Sequence, residues 1–256
     1  MPSSSIPYGD NPAAAHRVPT VDAQIYYEIY GQGDPIVVLH GGGLGCSYEM
    51  GGFIDRLKDN YKVIVPSTRG HGRSEIGHSP FTLDQRADDL NAVLNDAHVD
   101  HPVTIIGFSD GGYSSYAFAA KYPLKTKKLA AIGSGEVLLT NKFFVFNLDD
   151  WKKFDAEFIA QQQALMPEPD RWNEMLKMYA DMWNSTVVSK EMFSKINCPV
   201  LLVNGERDPN SPMLTALAAY YELHDARLSI IPAAPHQCMV TDFDAVWAVV
   251  KPFVEE

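Results

Sequence analysis

The first residue that could do chemistry is Ser109, which lies in a G-x-S-x-G pattern between Gly107 and Gly111. An apolar run precedes it, and a stretch typical of a helix follows it. A tight turn between strand and helix lifts the serine hydroxyl clear of a sheet, and glycines avoid collisions two residues to either side. The start of the helix also favours the negative charge that develops during attack. The spacing therefore predicts that Ser109 is a nucleophile.

A second glycine-rich turn follows the apolar run that ends at His40. Glycines at this place allow backbone N–H groups to face a substrate oxygen, as an oxyanion hole requires. Gly42 is the first choice of donor and Gly43 the second, and the amide of Asp110, directly after the serine, is the expected partner donor. We interpret His40 as a structural residue that holds this turn through a hydrogen bond.

A serine hydroxyl needs a base, and the base needs an acid that orients it. His236 follows the last apolar run, on a loop expected at the carboxyl edge of the sheet, and is the predicted base. Asp208 follows the preceding apolar run and is the predicted acid, with Glu206 as the alternative. The resulting order of serine, acid and histidine along the chain is that of one hydrolase fold.

Short apolar runs alternate with stretches typical of helices from Val18 onward. Continuous apolar runs of this length are typical of strands that are covered on both faces. Strands are predicted over residues 24–30, 35–40, 61–66, 103–108, 128–134, 199–205 and 227–232. Helices are predicted over residues 82–97, 109–123 and 243–254, with Pro252 expected to kink or end the last. The alternation predicts a mostly parallel α/β sheet with one core domain, residues 18–134 and 199–256.

Residues 135–198 interrupt this alternation, because the stretch is too long for one crossover helix. It is rich in aromatic residues and methionine at helical spacing, which predicts two or more amphipathic helices that form a lid. Phe143 and Phe144 belong to this composition, and the positions at helical spacing include Trp151, Phe154 and Phe158, and then Met175, Tyr179, Met182 and Trp183. Most must attach the lid to the sheet. Phe144, Met182 and Trp183 are predicted to contact substrate.

Composition and charge exclude several classes of protein. The net charge of −11 over 256 residues disfavours nucleic acid and anionic membranes as partners. Three cysteines without a C-x-x-C pair predict no disulfide framework, which fits a cytoplasmic protein. No apolar run is long enough to span a membrane, and residues 1–17 are predicted to form a flexible arm. A periplasmic or secreted location is the alternative if a signal peptide has been removed. No metal or cofactor motif is present, and oligomeric state is left open.

The motifs together resemble the α/β-hydrolase superfamily over nearly the whole chain after residue 17. Within it, the chain resembles small lidded serine esterases of the valacyclovir-hydrolase and biphenyl-hydrolase-like type, which also carry a Ser-Asp-Gly-Gly turn. The resemblance implies an eight-stranded, mostly parallel sheet flanked by helices, with the small lid inserted after the sixth strand. Two departures stand out. Ser67 replaces the usual aspartate of D-x-R-G-x-G-x-S, and Pro235 replaces the usual glycine before the histidine, which is expected to stiffen that loop.

The function predicted from these residues is hydrolysis of a small carboxylic ester, or of a thioester or α-amino ester, through an acyl-enzyme. Carbon–carbon bond hydrolysis, enol-lactone hydrolysis and cofactor-free perhydrolysis are alternatives on the same triad, since a fold does not determine one activity. A non-catalytic binding protein on this scaffold is a further alternative. For Asp110, two interpretations stay open: its carboxylate complements the start of the helix, or it pairs with a substrate ammonium group as the resemblance implies.

Overall fold

The computed structural model describes residues 6–139, 144–153 and 155–256, and within them an eight-stranded sheet. Its strands are β1 (Ala15–Pro19), β2 (Gln24–Tyr30), β3 (Pro35–Leu39), β4 (Lys62–Pro66), β5 (Val103–Phe108), β6 (Thr126–Ile132), β7 (Val200–Gly205) and β8 (Ala226–Ile231). All of the predicted strands are present, with ends that differ by at most two residues. Strand β1 was not predicted, because it is short and its residues are largely exposed.

The spatial order of the strands is β1-β2-β4-β3-β5-β6-β7-β8. The first two strands pair antiparallel with their neighbours, and every pairing from β4 to β8 is parallel. The carboxyl ends of the parallel strands therefore meet at one edge, where ligands bind in open α/β sheets.

Helices cover the sheet. They are α1 (Gly51–Leu57), α2 (Leu83–Asp96), α3 (Asp110–Lys121), α4 (Leu148–Lys152), α5 (Ala156–Leu165), α6 (Trp172–Ser185), α7 (Lys190–Phe193), α8 (Met213–Glu222), α9 (Cys238–Thr241) and α10 (Phe243–Glu255). Thr82 caps α2 by accepting a hydrogen bond from the Gln85 amide. Pro252 lies inside α10 and does not end it. Within the described ranges, no helix has the length and apolar character needed to cross a bilayer.

Strand β3 shows why its sequence is apolar throughout. Ile36 and Val38 pack into the apolar cluster that includes α1 and α10. Val37 and Leu39 face the opposite cluster, which includes α2 and α3. Because side chains alternate between the two faces of a strand, and both faces are covered here, no position of β3 is left for a polar residue.

The amino-terminal segment differs from the predicted arm in the part that the structure describes. Glu28 is fully buried and accepts hydrogen bonds from the Gly9 and Asn11 amides, each at 2.8 Å. The hydroxyls of Tyr26 and Tyr30 donate to the same carboxylate. A buried carboxylate needs such donors, so residues 9–11 are held against the sheet, and β1 already begins at Ala15. Residues 1–5 lie outside the described part.

Helices α4 to α7 lie between β6 and β7, in a segment that we name the helical insertion (residues 133–199). Hydrogen bonds at 2.8 Å in both directions join Val137 and Val188 at its base. Helix α6 buries Met175, Leu176 and Met182 against the core. Within the predicted lid, Phe143 and Phe154 lie outside the described residues, and the boundaries 135–198 stay a prediction.

Candidate active site

The turn from β5 to α3 presents Ser109 in a strained backbone conformation, with φ 48° and ψ −115°. A residue other than glycine rarely adopts such angles, and they concentrate at functional sites. The flanking glycines make the turn possible. A Cβ on Gly107 would lie 2.5 Å from the Gly111 carbonyl oxygen, and one on Gly111 would lie 2.6 Å from the His40 carbonyl oxygen. Ser109 itself is partly exposed.

The structure brings the predicted nucleophile, base and acid together. His236 Nε2 lies 2.8 Å from Ser109 Oγ, and His236 Nδ1 lies 2.8 Å from Asp208 Oδ2. The second oxygen of Asp208 accepts hydrogen bonds from the Asn210 and Ser211 amides, each at 2.8 Å. These bonds fix the carboxylate, which in turn directs the Nδ1–H of the imidazole and leaves Nε2 to accept the serine proton. The arrangement is competent for nucleophilic attack by Ser109.

Neither Glu206, the alternative acid, nor Pro235, which precedes the histidine, prevents these contacts. Glu206 is exposed and accepts a hydrogen bond from the Ala233 amide, so it is engaged away from the histidine. The Pro235 carbonyl oxygen packs on Gly205, where a Cβ would lie only 2.3 Å from it. His236 reaches both partners with proline before it.

Gly42 and Asp110, the predicted amide donors, lie side by side. A Cβ on Gly42 would be 2.9 Å from Asp110 Cβ. The first amides of a helix lack intrahelical acceptors, and Asp110 opens α3. In the described part of the chain neither amide donates a hydrogen bond to another residue. Gly43, the second choice of donor, has φ 74°, so the turn requires glycine at this position for its backbone conformation.

The buried side chain of His40 and the half-buried side chain of Glu49 support the turn that carries Gly42. His40 Nε2 accepts a hydrogen bond from the Thr68 amide at 2.9 Å, and burial lowers the pKa of His40 to about 4. A neutral imidazole that bonds to backbone is consistent with the structural role predicted for it. Glu49 accepts a hydrogen bond from the Gly41 amide at 3.0 Å, and burial raises the pKa of this carboxyl to about 7.

The loop after β4 is held although Ser67 replaces the usual aspartate. The Ser67 hydroxyl is buried and hydrogen bonds to no other described residue. Arg69 instead anchors the loop, with Nε 3.0 Å from Asp89 Oδ2 and Nη2 2.9 Å from Asp89 Oδ1. Asp22 also pairs with this arginine. The bidentate pair fixes the position of Arg69, and with it this part of the loop.

The Asp110 side chain points away from solvent and forms an ion pair with Arg86 of α2. Both side chains are buried, Asp110 completely. The carboxylate therefore has a cationic partner within the protein. This placement favours the interpretation of Asp110 as a structural residue at the start of α3 over the interpretation that it binds a substrate ammonium group.

The three side chains predicted to contact substrate occupy different surroundings. Met182 is buried in the core cluster. Trp183 is half-buried, with its ring 5.0 Å from that of Tyr113. Phe144 is 42% exposed and stacks on Phe146. Of the three, Trp183 is the best placed to form part of a pocket wall.

Sequence reasoning missed the roles of Arg86, Glu49 and Tyr179 around this site. Arg86 follows Leu83 by three residues and precedes Leu90 by four, so helical spacing places it on the buried face of α2. A charged residue on an apolar face signals a buried partner, and that signal was available. Glu49 carried no comparable signal, and Tyr179 was singled out only as one of the aromatic positions at helical spacing in the predicted lid. No cluster of three or more His, Cys, Asp or Glu side chains suited to a metal occurs among the described residues.

Comparisons with known proteins identify the family of this chain. The family model described as alpha/beta hydrolase fold matches residues 34–173, which is more than half of the chain. The human protein named Serine hydrolase BPHL is 25% identical, over 86% of this chain and 79% of its own. The 2-hydroxy-6-oxo-6-(2'-aminophenyl)hexa-2,4-dienoic acid hydrolase of Metapseudomonas resinovorans is 24% identical, over 82% of this chain and 80% of its own.

Solved structures show the same fold at lower identity. A serine hydrolase involved in carbazole degradation, CarC, has a TM-score of 0.79 at 20% identity, over 94% of this chain and 98% of its own. A thermophilic esterase from Thermogutta terrifontis has a TM-score of 0.71 at 20% identity, over 94% and 98% of the two chains. The chain therefore belongs to the α/β-hydrolase family, as a serine hydrolase.

Proposed function

We propose that this protein hydrolyses a small carboxylic ester through an acyl-enzyme formed on Ser109. The observation that carries the proposal is the pair of contacts at 2.8 Å, from His236 to Ser109 and from His236 to Asp208. A hydroxyl becomes a useful nucleophile when a base accepts its proton and an acid orients that base. The strained backbone at Ser109 further supports a catalytic role for this residue.

The proposed reaction has two halves. Ser109 Oγ attacks the ester carbonyl while His236 Nε2 takes its proton, and the amides of Gly42 and Asp110 stabilise the oxyanion. The C–O bond to the leaving group then breaks, and His236 returns the proton to the departing alcohol. Water repeats the sequence on the acyl-enzyme and releases the acid. Each donor to the oxyanion contributes about 3 kcal/mol of transition-state stabilisation in well-studied hydrolases.

The substrate class follows from the surroundings of the triad. Aromatic side chains of the helical insertion, Trp183 among them, favour an apolar acyl or alcohol group of modest size. The ion pair between Asp110 and Arg86 leaves no free carboxylate at that position to select an α-amino ester. Neutral esters are therefore the preferred class.

A carbon–carbon bond hydrolase is the second candidate, because one relative is named as a hydrolase of a dienoic acid. The same triad would be used. A vinylogous diketone substrate compared with a p-nitrophenyl ester of similar size distinguishes the two: a higher kcat/KM for the diketone would replace the ester proposal.

The proposal is tested by labelling with a fluorophosphonate and by assaying p-nitrophenyl esters of increasing acyl length. We expect stoichiometric labelling of the wild type, turnover of short esters, and loss of both in Ser109→Ala. Ser115→Ala is the matched control, since it removes a hydroxyl of the same helix whose one hydrogen-bond partner among the described residues is the Gly111 carbonyl. Ester turnover that survives in Ser109→Ala would refute the mechanism.

A further inference from the structure

The glycine at position 42 is not required by its own backbone. Gly43 has φ 74°, in the left-handed region, but Gly42 is not among the residues with positive φ. The absence of room for a side chain explains the glycine instead. A Cβ on Gly42 would lie 2.0 Å from the hydroxyl oxygen of Tyr179 and 2.7 Å from its Cζ. Position 42 therefore has no room for a side chain because a phenol from helix α6 occupies that room.

This hydroxyl lies next to both residues that carry the proposed amide donors. The same Cβ position on Gly42 is 2.9 Å from Asp110 Cβ, so one point lies beside Tyr179 Oη, Gly42 and Asp110 together. The core supplies the latter two residues, at the ends of β3 and β5. Tyr179 comes from the helical insertion, and it brings a hydrogen-bond donor to the same point.

The tyrosine ring is held firmly in this position. It is 8% exposed, and the rings of His71, Phe146 and Trp183 lie 5.9, 5.3 and 6.3 Å from it. The Arg86 guanidinium lies 5.7 Å from the ring centroid. Such packing fixes the direction of the hydroxyl before substrate binds, which is the condition for effective transition-state stabilisation.

The charge state of Tyr179 suits a donor. Burial raises the pKa of this phenol, and the Arg86 guanidinium and a side-chain hydrogen bond with Trp183 oppose that rise only in part. The group is therefore protonated at neutral pH and offers an O–H. The nearby cation also favours negative charge on a neighbouring oxygen.

We propose that the Tyr179 hydroxyl donates a hydrogen bond to the substrate carbonyl oxygen in the tetrahedral intermediate, as a third donor beside the amides of Gly42 and Asp110. This inference rests on the proposed ester hydrolysis. It assigns part of the oxyanion hole to the helical insertion, so the insertion takes part in the chemistry as well as in enclosing the acyl group.

The test is Tyr179→Phe, which keeps the ring and removes the hydroxyl. We expect kcat to fall by about ten- to a hundredfold, with little change in KM, because the lost bond forms only in the transition state. The loss should be equal for acetate and hexanoate esters. A trifluoromethyl ketone, which forms a tetrahedral adduct with the serine, should bind more weakly by the same factor. An unchanged kcat, or a loss confined to the longer ester, would overturn the proposal.

Two further variants separate this role from a structural one. Tyr122→Phe is the control, since it removes a hydroxyl that bonds to Asp88 at the surface, and it should keep full activity. Gly42→Ala places a methyl group where the hydroxyl lies, so Tyr179→Phe should cost no more than about twofold in that background. Full additivity of the two changes would contradict the inference.

The proposed function and this inference fail in different ways. If the wild type neither labels with fluorophosphonate nor turns over esters, the ester proposal fails first. If the wild type does both and Tyr179→Phe matches it, only the third donor is refuted.

Discussion

The carboxyl edge of the sheet and the helical insertion above it contribute different kinds of side chain to one site. The edge supplies Ser109, Asp208 and His236, each on a turn directly after a strand and each engaged in short hydrogen bonds. The insertion supplies rings, among them Tyr179 and Trp183, that are held by packing against other rings. We therefore expect any change of chemical group at the edge to abolish most of the activity. Changes of side-chain shape in the insertion should reduce activity by smaller amounts.

The largest effect is expected at the edge, for Asp208→Asn. An amide in place of the carboxylate no longer favours the Nδ1–H tautomer, so kcat should fall by about 10⁴-fold. Glu206→Gln is the matched control and should change kcat by less than about twofold, because Glu206 bonds only to the Ala233 amide. Steady-state kinetics on one ester measures both. A larger loss in the Glu206 variant would move the acid to that residue.

The buried ion pair between Asp110 and Arg86 is expected to give the next largest effect, on stability. Asp110→Asn leaves a buried guanidinium without its counter-charge, which should lower the free energy of unfolding by about 3 to 5 kcal/mol. Asp88→Asn, which breaks the exposed pair with Lys121, should cost less than about 1 kcal/mol. Urea denaturation measures both.

Substrate preference provides an independent check on the same pair. A valine ester and its analogue without the amine should have similar kcat/KM in the wild type. A preference for the amine that disappears in Asp110→Asn would show that the carboxylate binds substrate, and would contradict the structural interpretation.

Glu49 should make stability depend on pH. Burial raises the pKa of this carboxyl to about 7 in the folded chain, above its ordinary value of 4.5. The contribution of protonated Glu49 to the free energy of unfolding is therefore fully present below pH 4.5. It is lost as pH rises through about 7, because the folded state resists deprotonation of this carboxyl. Glu49→Gln keeps an acceptor for the Gly41 amide. From pH 5 to pH 8, the free energy of unfolding of this variant should rise by about 1 to 2 kcal/mol relative to that of the wild type. This figure is discounted for the partial exposure of Glu49.

Urea unfolding of both proteins at the two pH values tests this prediction. A difference in stability between Glu49→Gln and the wild type that is the same at pH 5 and pH 8 would show that Glu49 does not titrate in this range.

The smallest effect is expected in the insertion. Trp183→Ala should raise KM for bulky esters by about three- to tenfold and leave KM for acetate esters nearly unchanged, because a pocket wall loses contact only with groups that reach it. Since the Trp183 ring also packs on Tyr179, any fall in kcat should be equal for all esters. Met182→Ala is the control. Its side chain packs in the core, so it should lower stability and should not discriminate between esters. Equal KM changes for all esters in the Trp183 variant would identify its ring as purely structural.

The elements that position the triad could be predicted because the relevant signals are local. Continuous apolar runs indicated the strands, and the glycines around Ser109 indicated the turn between β5 and α3. Parallel strands place their carboxyl ends at one edge, so residues that follow different strands could be expected to meet there. The first strand escaped prediction because its five residues are mostly exposed and lack an apolar run.

The contacts that modify the site could not be predicted in the same way. Arg86 and Asp110 belong to neighbouring helices, and only the packing of α2 on α3 makes them partners. Phe144 was predicted to contact substrate because it is an aromatic residue of this segment, yet its position in the insertion leaves it exposed. Composition alone does not specify which face of an irregular insertion turns inward.

By itself the sequence predicted which groups could act as nucleophile, acid and base, because a serine flanked by glycines and the order of its acid and base can be recognised in short segments next to strands. The tertiary structure decided what surrounds those groups. It filled the space beside Gly42 with the Tyr179 hydroxyl and paired Asp110 with Arg86. Such contacts join segments distant along the chain, and their geometry depends on close packing of the whole core rather than on any local pattern.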